Sequence, residues 1–338
     1  MLEISTERLF LALARAEDRV SRLDERLRAC PFAAGFVARL DFAEAAAWGW
    51  RSGEIAPLED LLLHDEEMDM RAPDQALRSA YGLIRARRKA AIAGPGLFSP
   101  QGAQWLAGRR DRPPAEPAAG STKAEPASVE DWDCPDLLSR VIAPLERLGR
   151  GETGAADADL ADWLALLTPM PATPALLQAA VALEGWRIVD PLPRATYVGG
   201  VMVGAWLRAA GRVQGHLLGV ESGWRAQSRR VHDARAAPMA ARLTYWLGLM
   251  AAAADHGLEE LHRLELARQV LAVHIGARRA HARFGDLARL LLDRPLVTAP
   301  MIAARLKITP QSARRLIGGL GASVVEVSGR SRFRAWRV

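Results

Sequence analysis

The stretch Val297-Thr298-Ala299-Pro300-Met301-Ile302-Ala303-Ala304-Arg305-Leu306-Lys307-Ile308-Thr309-Pro310-Gln311-Ser312-Ala313-Arg314-Arg315-Leu316-Ile317 decides what kind of fold this 338-residue chain carries at its C-terminal end. Thr298 stands where a hydroxyl can cap a helix whose inward face is Ile302, Ala303 and Leu306. After a tight turn, Thr309 can cap a second helix, with Pro310 at the first helical position, where its missing N–H costs nothing. Gly318, Gly319 and Gly321 end that helix. Two short β-like runs, 323–327 and 333–337, flank Ser328-Gly329-Arg330-Ser331-Arg332, which reads as a hairpin with a basic tip. Helix, turn, helix and basic hairpin are the parts of a winged helix-turn-helix, a module that reads double-stranded DNA.

Charge supports the same reading independently. Residues 296–338 hold eight basic side chains (Arg305, Lys307, Arg314, Arg315, Arg330, Arg332, Arg334, Arg337) against one acid, Glu326, a net +7 where the whole chain is +6. Everything before Leu296 is therefore close to neutral, and a polyanionic partner follows, because Lys and Arg that neutralise phosphates release condensed counterions. Within the second helix, Gln311, Ser312, Arg314 and Arg315 occupy the positions that recognition helices present to the major groove, where Gln and Arg suit bidentate contacts to adenine and guanine edges. Thr309, Lys307, Arg330, Arg332 and Arg334 complete the candidate DNA-contacting set, the wing arginines holding phosphates or entering the minor groove. Ile302, Leu306, Ile308, Leu316, Ile317 and Trp336 are the expected core of the module.

Ahead of this module the chain reads as mainly α. Alanine, leucine and arginine are frequent while Tyr (3) and Phe (7) are scarce. Helical periodicity predicts helices over 5–28, 34–51, 57–63, 73–91, 136–148, 157–167, 174–184, 198–210, 238–256, 258–282 and 284–292. Residues 188–193 read as a loop. Pro113, Pro114, Pro117 and Pro126, set among Ala, Glu, Gly and Ser, mark 109–130 as a linker. The expected domains are thus 1–108 (helical), 109–130 (linker), 131–283 (helical) and 284–338 (winged helix-turn-helix). The alanine-rich helices at 34–51 and 237–255 could be a homodimer interface or core.

Catalytic and metal signatures are scarce. The seven histidines form no HExxH, and Cys30 and Cys134 make neither a disulfide framework nor zinc-ligand spacing. No GxxxxGK[ST] loop or GxSxG elbow occurs, and Gly199, Gly200 and Gly204 suit helix packing better than a dinucleotide cradle. His216, in an apolar run, reads as a buried, hydrogen-bonded histidine. No catalytic residue, cofactor or metal is assigned. The first residues lack a secretory pattern and no run approaches the roughly 18 apolar residues of a spanning helix, so a cytoplasmic, nucleoid-associated protein is expected, not a membrane one.

Two resemblances add to this. Glu44-Ala45-Ala46-Ala47 followed by Ile55-Ala56-Pro57-Leu58-Glu59-Asp60-Leu61-Leu62-Leu63 resembles the N-terminal region of Fic-type adenylyltransferases, which implies a helical Fic-like body. The Ser or Thr and the Glu of that family's inhibitory motif fall on Trp48 and Ser52, and its catalytic HPFxDGN loop is missing, since 191–204 has no His, Asp or Asn. Residues 16–27 (AEDRVSRLDERL), 53–73, 211–218 (GRVQGHLL) and the ending SGRSRFRAWRV are similar to a bacterial family of uncharacterised Fic-related proteins with a C-terminal helix-turn-helix. The expected function is sequence-specific DNA binding by a transcriptional regulator, a homodimer that a small molecule or protein could modulate. The alternatives are a divergent AMP transferase with a cleft around 197–216, and a non-enzymatic partner-binding or immunity protein.

Overall fold

In a computed structural model of the chain, residues 2–69, 71–116, 134–149, 156–227, 237–276, 281–328 and 334–338 are described. Helices dominate them. They are α1 (Leu2–Arg28), α2 (Ala33–Ser52), α3 (Leu58–Asp65), α4 (Gln75–Ile92), α5 (Pro100–Leu106), α6 (Cys134–Gly149), α7 (Ala156–Ala165), α8 (Ala175–Val189), α9 (Tyr197–Ala209), α10 (Glu221–Gln227), α11 (Met239–Gly276), α12 (His281–Asp293), α13 (Ala299–Leu306) and α14 (Pro310–Gly318). Three short strands, β1 (Val297–Thr298), β2 (Val325–Glu326) and β3 (Ala335–Arg337), form one antiparallel sheet in the order β1-β3-β2. No helix among the described residues is long and apolar enough to cross a membrane.

Several elements differ from the sequence expectation, among them α10, which lies where no helix was expected. The helices expected at 238–256 and 258–282 are one helix, α11, running unbroken through Gly257. A single internal glycine costs only about 1 kcal/mol relative to alanine, and buried Leu261 and Leu264 on its far side offset that. Helix α5 was not expected, although its signature was present: Ser99 accepts from the Gly102 N–H at 3.1 Å and Pro100 takes the first position. Helix α8 continues to Val189 and is closed by Asp190 in the left-handed conformation (φ 43°), so the loop begins two residues later than expected. Residues 117–130 of the expected linker lie outside the described residues.

The chain divides into two compact units, Met1–Glu25 with Gly82–Asp255, and Arg26–Tyr81 with His256–Val338. In the first, α8 packs against α6, α7 and α9. Every residue from 176 to 186 is buried, as expected of a helix that is apolar all round. Its two polar exceptions are fully used. The Gln178 amide donates to the Leu166 and Thr168 carbonyls at 2.8 and 2.6 Å and accepts from the Met170 N–H at 3.1 Å, pinning the loop that leaves α7. The Glu184 carboxylate accepts from Arg187, Arg242 and the Trp246 indole at 2.6, 2.9 and 2.9 Å. Burial would raise its pKa, but these donors hold it below the usual carboxylate range. The glycines of α9 serve packing: a Cβ on Gly199 would lie 2.3 Å from the Trp186 ring.

His216 lies in the irregular segment after α9. Asp24 of α1 accepts from the Gln214 and Gly215 N–H groups at 2.8 and 3.0 Å, and Arg87 of α4 donates to the Leu217 carbonyl at 2.8 Å. These bonds hold His216 at 2% exposure. The expectation of burial holds, but that of a hydrogen bond does not. Neither ring nitrogen has a hydrogen-bond partner among the described residues, and the Asp24 carboxylate is 3.9 Å away. Asp24 is instead occupied by the two backbone amides. Burial, aided by the Arg87 charge and opposed by Asp24, pushes the His216 pKa down to about 4.

In the second unit, α2 packs on α3 and α12. Contact with α12 is close because residue 35 is glycine: a Cβ there would sit 1.9 Å from the Leu292 carbonyl oxygen. One turn later Arg39, 8% exposed, donates to the carbonyls of Leu291, Leu292 and Arg294 at 2.7, 2.8 and 2.8 Å, and to its own helix at Gly35. A helix ends with four carbonyls that have no partner within the helix. Arg39 satisfies this end of α12 and places a cation where the helix dipole favours one. Burial lowers its pKa to about 10, with Glu260 of α11, 3.9 Å away, opposing the shift.

Two predictions follow from these buried groups. Arg39→Met leaves the α12 carbonyls unpaired in a dry site, and we predict a loss of about 3 kcal/mol, read as a lower Tm by calorimetry; an unchanged Tm would refute the capping role. His216 is neutral in the folded state, with a folded pKa of about 4 below the unfolded value of 6.5. Its contribution is therefore complete above pH about 6.5 and lost as pH falls towards 4, because the unfolded chain takes up the proton first. Stability should decline through that window in the wild-type protein and decline less in His216→Phe; equal slopes in urea titrations would assign the acid sensitivity elsewhere.

Candidate nucleic-acid interface

The C-terminal module is built around residues that serve two elements each. Thr298 belongs to β1, opposite Ala335 of β3, and its hydroxyl also accepts from the Met301 N–H to cap α13. Lys307 closes α13 in the left-handed conformation (φ 52°, ψ 50°), and the Lys307 and Ile308 N–H groups both donate to the Ala303 carbonyl, the latter at 3.0 Å. Two residues on, the Thr309 hydroxyl accepts from the Ser312 N–H at 3.2 Å and donates to the Ser312 hydroxyl at 2.9 Å. Pro310 occupies the first position of α14. Both expected caps are formed, so helix, three-residue turn and helix follow as the sequence indicated.

Packing within the module differs in detail from expectation. Ile302, Ile317 and Trp336 are buried, whereas Leu306, Ile308 and Leu316 are only half-buried. Their places in the core go to Ala313, Leu320 and Ala335. Small side chains let α13 and α14 approach closely, which leaves the larger ones at the rim. Trp336 lies opposite Val297 on one side and Glu326 on the other, so β3 is the central strand. The sequence signal for β1 was two residues long and doubled as a cap, too short to register as a strand.

On α14, Ala313 and Ile317 face inward while Gln311, Ser312, Arg314, Arg315 and Gly318 are exposed. Gln311, Arg314, Arg315 and Gly318 stand at i, i+3, i+4 and i+7, one face of a helix. Arg305 of α13 and Lys307 of the turn are exposed as well. No ion pair or side-chain hydrogen bond engages Arg305, Lys307, Arg314 or Arg315 among the described residues. Arg305 counted in the charge tally but not among the expected contacts; its exposure beside Lys307 adds it to the basic face.

The wing is partly described. Arg330 and Arg332 lie outside the described residues, so the tip expected to touch DNA is not characterised. At its root, Arg334 is committed to the fold: its Nε donates to the Glu326 carboxylate at 2.8 Å, its Nη2 reaches the same oxygen, and its guanidinium lies over the Trp336 ring, 5.4 Å from the centroid. The hydrogen bond from Arg334 holds the Glu326 carboxyl below its usual range. The Ser328 hydroxyl donates to Glu326 at 3.2 Å and accepts from the Ala335 N–H at 3.2 Å, tying the strands together. Thr309 and Ser312 likewise spend hydroxyls on the α14 cap, while the polar groups of Gln311, Arg314, Arg315 and Lys307 have no partner among the described residues.

A helix-turn-helix beside a small sheet, with the basic face turned outward, defines a winged helix-turn-helix domain carried on a helical body. Comparison with known proteins agrees. Residues 284–338 match the family described as "HTH DNA binding domain", and residues 154–276 match "Protein of unknown function (DUF1612)". The chain is 32% identical, over an alignment 385 positions long, to "Uncharacterized protein y4cF" of Sinorhizobium fredii (strain NBRC 101917 / NGR234), an alignment spanning 100% of this chain and 99% of that protein. The chain therefore belongs to the same family as that protein, and in this chain the residues matching DUF1612 precede a helix-turn-helix DNA-binding domain. Among the described residues, no group of three or more His, Cys, Asp or Glu side chains could hold a metal ion.

Lys307 yields a prediction in which stability and binding part company. A left-handed conformation costs a side-chain-bearing residue about 1–2 kcal/mol, against roughly 0.5–1 kcal/mol of extra chain entropy for glycine. Lys307→Gly should therefore raise stability by up to about 1 kcal/mol while removing one phosphate contact, so that the salt slope of DNA binding falls by about one unit. A destabilised variant in thermal melts, or an unchanged salt slope, would go against this placement of Lys307.

Proposed function

We propose that this protein binds double-stranded DNA sequence-specifically and acts as a transcriptional regulator, with α14 entering the major groove. The observation that carries the reading is the outward face of α14. Gln311, Arg314 and Arg315 lie together on it, exposed and unpaired among the described residues, opposite a face anchored by Ala313 and Ile317. Arginine offers two donors in the geometry that guanine O6 and N7 accept, and glutamine a donor and an acceptor that match adenine. Arg305 and Lys307, at the end of the first helix and in the turn, would hold phosphates and set the register. This reading is one of binding, and it is supported by 191–204, which has no histidine to serve the AMP transfer that the Fic resemblance would imply.

We also read the working form as a homodimer, because one recognition helix covers too few base pairs to single out an operator. Much of the alanine-rich helices is engaged in the core, which favours an interface elsewhere. Most of α2 is buried, as are Leu243, Leu247, Met250, Ala251 and Ala254 of α11, so both serve the core.

Replacing both Arg314 and Arg315 by alanine tests the central point. Each guanidinium reading a base contributes about 1–3 kcal/mol of discrimination, and exposed positions change stability by about 0.5 kcal/mol or less. The double variant should bind its site, found by in vitro selection, about a hundredfold or more weakly with its Tm unchanged. Undiminished binding in a mobility-shift assay would reject α14 as the recognition helix.

A further inference from the structure

The second compact unit holds an open cavity of about 320 Å3, bordered by α2, α3, α11 and the roots of the wing strands. Its apolar wall includes Leu40, Leu58, Leu62, Pro295 and Val325. Five charged or titratable side chains also line it, and most are already spoken for. Arg39 is spent on the α12 carbonyls. Arg263 donates twice to Glu260, at 2.8 and 2.7 Å, and once to the Val338 backbone oxygen at 2.8 Å. Two groups remain available. Arg337 of β3 makes one ion pair among the described residues, with Glu59 at 3.8 Å, beyond hydrogen-bond distance, and 37% of its side chain is exposed. His256 has no hydrogen bond or ion pair among the described residues.

We propose that this cavity is a binding site for a small monocarboxylate with an apolar body, an aryl or branched-chain acid, and that its occupancy alters DNA affinity. Arg337 offers the planar fork that a carboxylate accepts in bidentate fashion, and His256 a further donor. The leucines take the hydrocarbon. The volume lies at the lower end of the roughly 300–1,000 Å3 of ligand pockets. At about 30 Å3 for each water-sized group, it admits roughly ten non-hydrogen atoms. A phosphate ester would bring a second charge into a largely apolar site whose one arginine with unfilled hydrogen-bond donors, Arg337, already has Glu59 3.8 Å away, so the carboxylate fits better.

The link to DNA rests on the proposed function and on the register of the sheet. Arg337 pairs directly with Val325 of β2, and both line the cavity. The next residue inward, Trp336, pairs with Val297 of β1, whose neighbour Thr298 caps α13. A ligand bridging Arg337 and Val325 thus holds the root of the wing and, through β1, the start of the helix-turn-helix. Binding at the two places is then coupled, and the coupling is reciprocal.

The experiment is calorimetric titration of the full chain with benzoate, phenylacetate, cinnamate and isovalerate, each beside its amide. At least one acid should bind tighter than about 1 mM, with its amide about tenfold weaker or worse, the loss expected when a charge-assisted pair is removed. Arg337→Gln, at a part-exposed position, should weaken the acid about tenfold. Leu62→Trp, which fills the cavity, should abolish binding, with circular dichroism confirming that both variants fold. The acid should also shift the dissociation constant of a selected DNA site severalfold, and DNA should shift that of the acid by the same factor. Absence of binding by all four acids, equal binding of acid and amide, or wild-type affinity in folded Arg337→Gln would overturn the site. Binding without any effect on DNA affinity would overturn the coupling. Because the titration needs no DNA, failure of the DNA-binding reading would appear separately, in the mobility-shift assay alone.

Discussion

A single guanidinium, that of Arg39, fixes where the second compact unit can place its C-terminal module. Helix α12 leads directly into β1 and α13, so whatever holds the end of α12 also sets the origin of the helix-turn-helix. Three carbonyls at that end converge on Arg39, and the glycine one turn earlier lets the two backbones meet. The arrangement is demanding, because a buried cation is tolerable only when its donors are satisfied. Here four carbonyl oxygens and the nearby Glu260 meet that condition. Hydrophobic contact alone would let α12 slide along α2; directional bonds to named carbonyls do not.

Downstream, order is passed along by shared residues. Thr298 is at once a strand residue and a cap, Ser328 bridges Glu326 and Ala335, and Arg334 lies between a carboxylate and an indole. Such economy is what a module of about 40 residues requires, since a domain that small cannot bury enough apolar surface to tolerate idle polar groups. It also sorts the positive charges. Arg334 beside the sheet is tied into the fold, while Arg305, Lys307, Arg314 and Arg315 make no ion pair or side-chain hydrogen bond among the described residues.

Much of this was legible in the sequence, for physical reasons that differ from element to element. Thr298, Thr309 and Pro310 are local signals whose meaning depends on a few neighbouring residues, and both caps form as they indicate. The face holding Arg314 and Arg315 follows from periodicity alone. What escaped depended on distant partners. Arg39 reads as one polar residue in an alanine-rich helix, and only residues some 250 positions away reveal it as a cap. His216 looked like a hydrogen-bonded core histidine, but Asp24 is engaged by two backbone amides instead. Leu306, Ile308 and Leu316 looked like core because size and hydrophobicity rank burial well only on average; close helix approach favours alanine. The continuity of α11 through Gly257 shows the same limit, a local breaker outweighed by packing at a distance.

The division of labour within α14 has a consequence for how such a protein changes partners. Ala313 and Ile317 secure the helix and Thr309 with Ser312 starts it, while the exposed side chains at 311, 314 and 315 take no part in its packing. The helix is in effect a replaceable key on a fixed shank. Its outward face can be rewritten at three exposed positions without repacking a single buried atom.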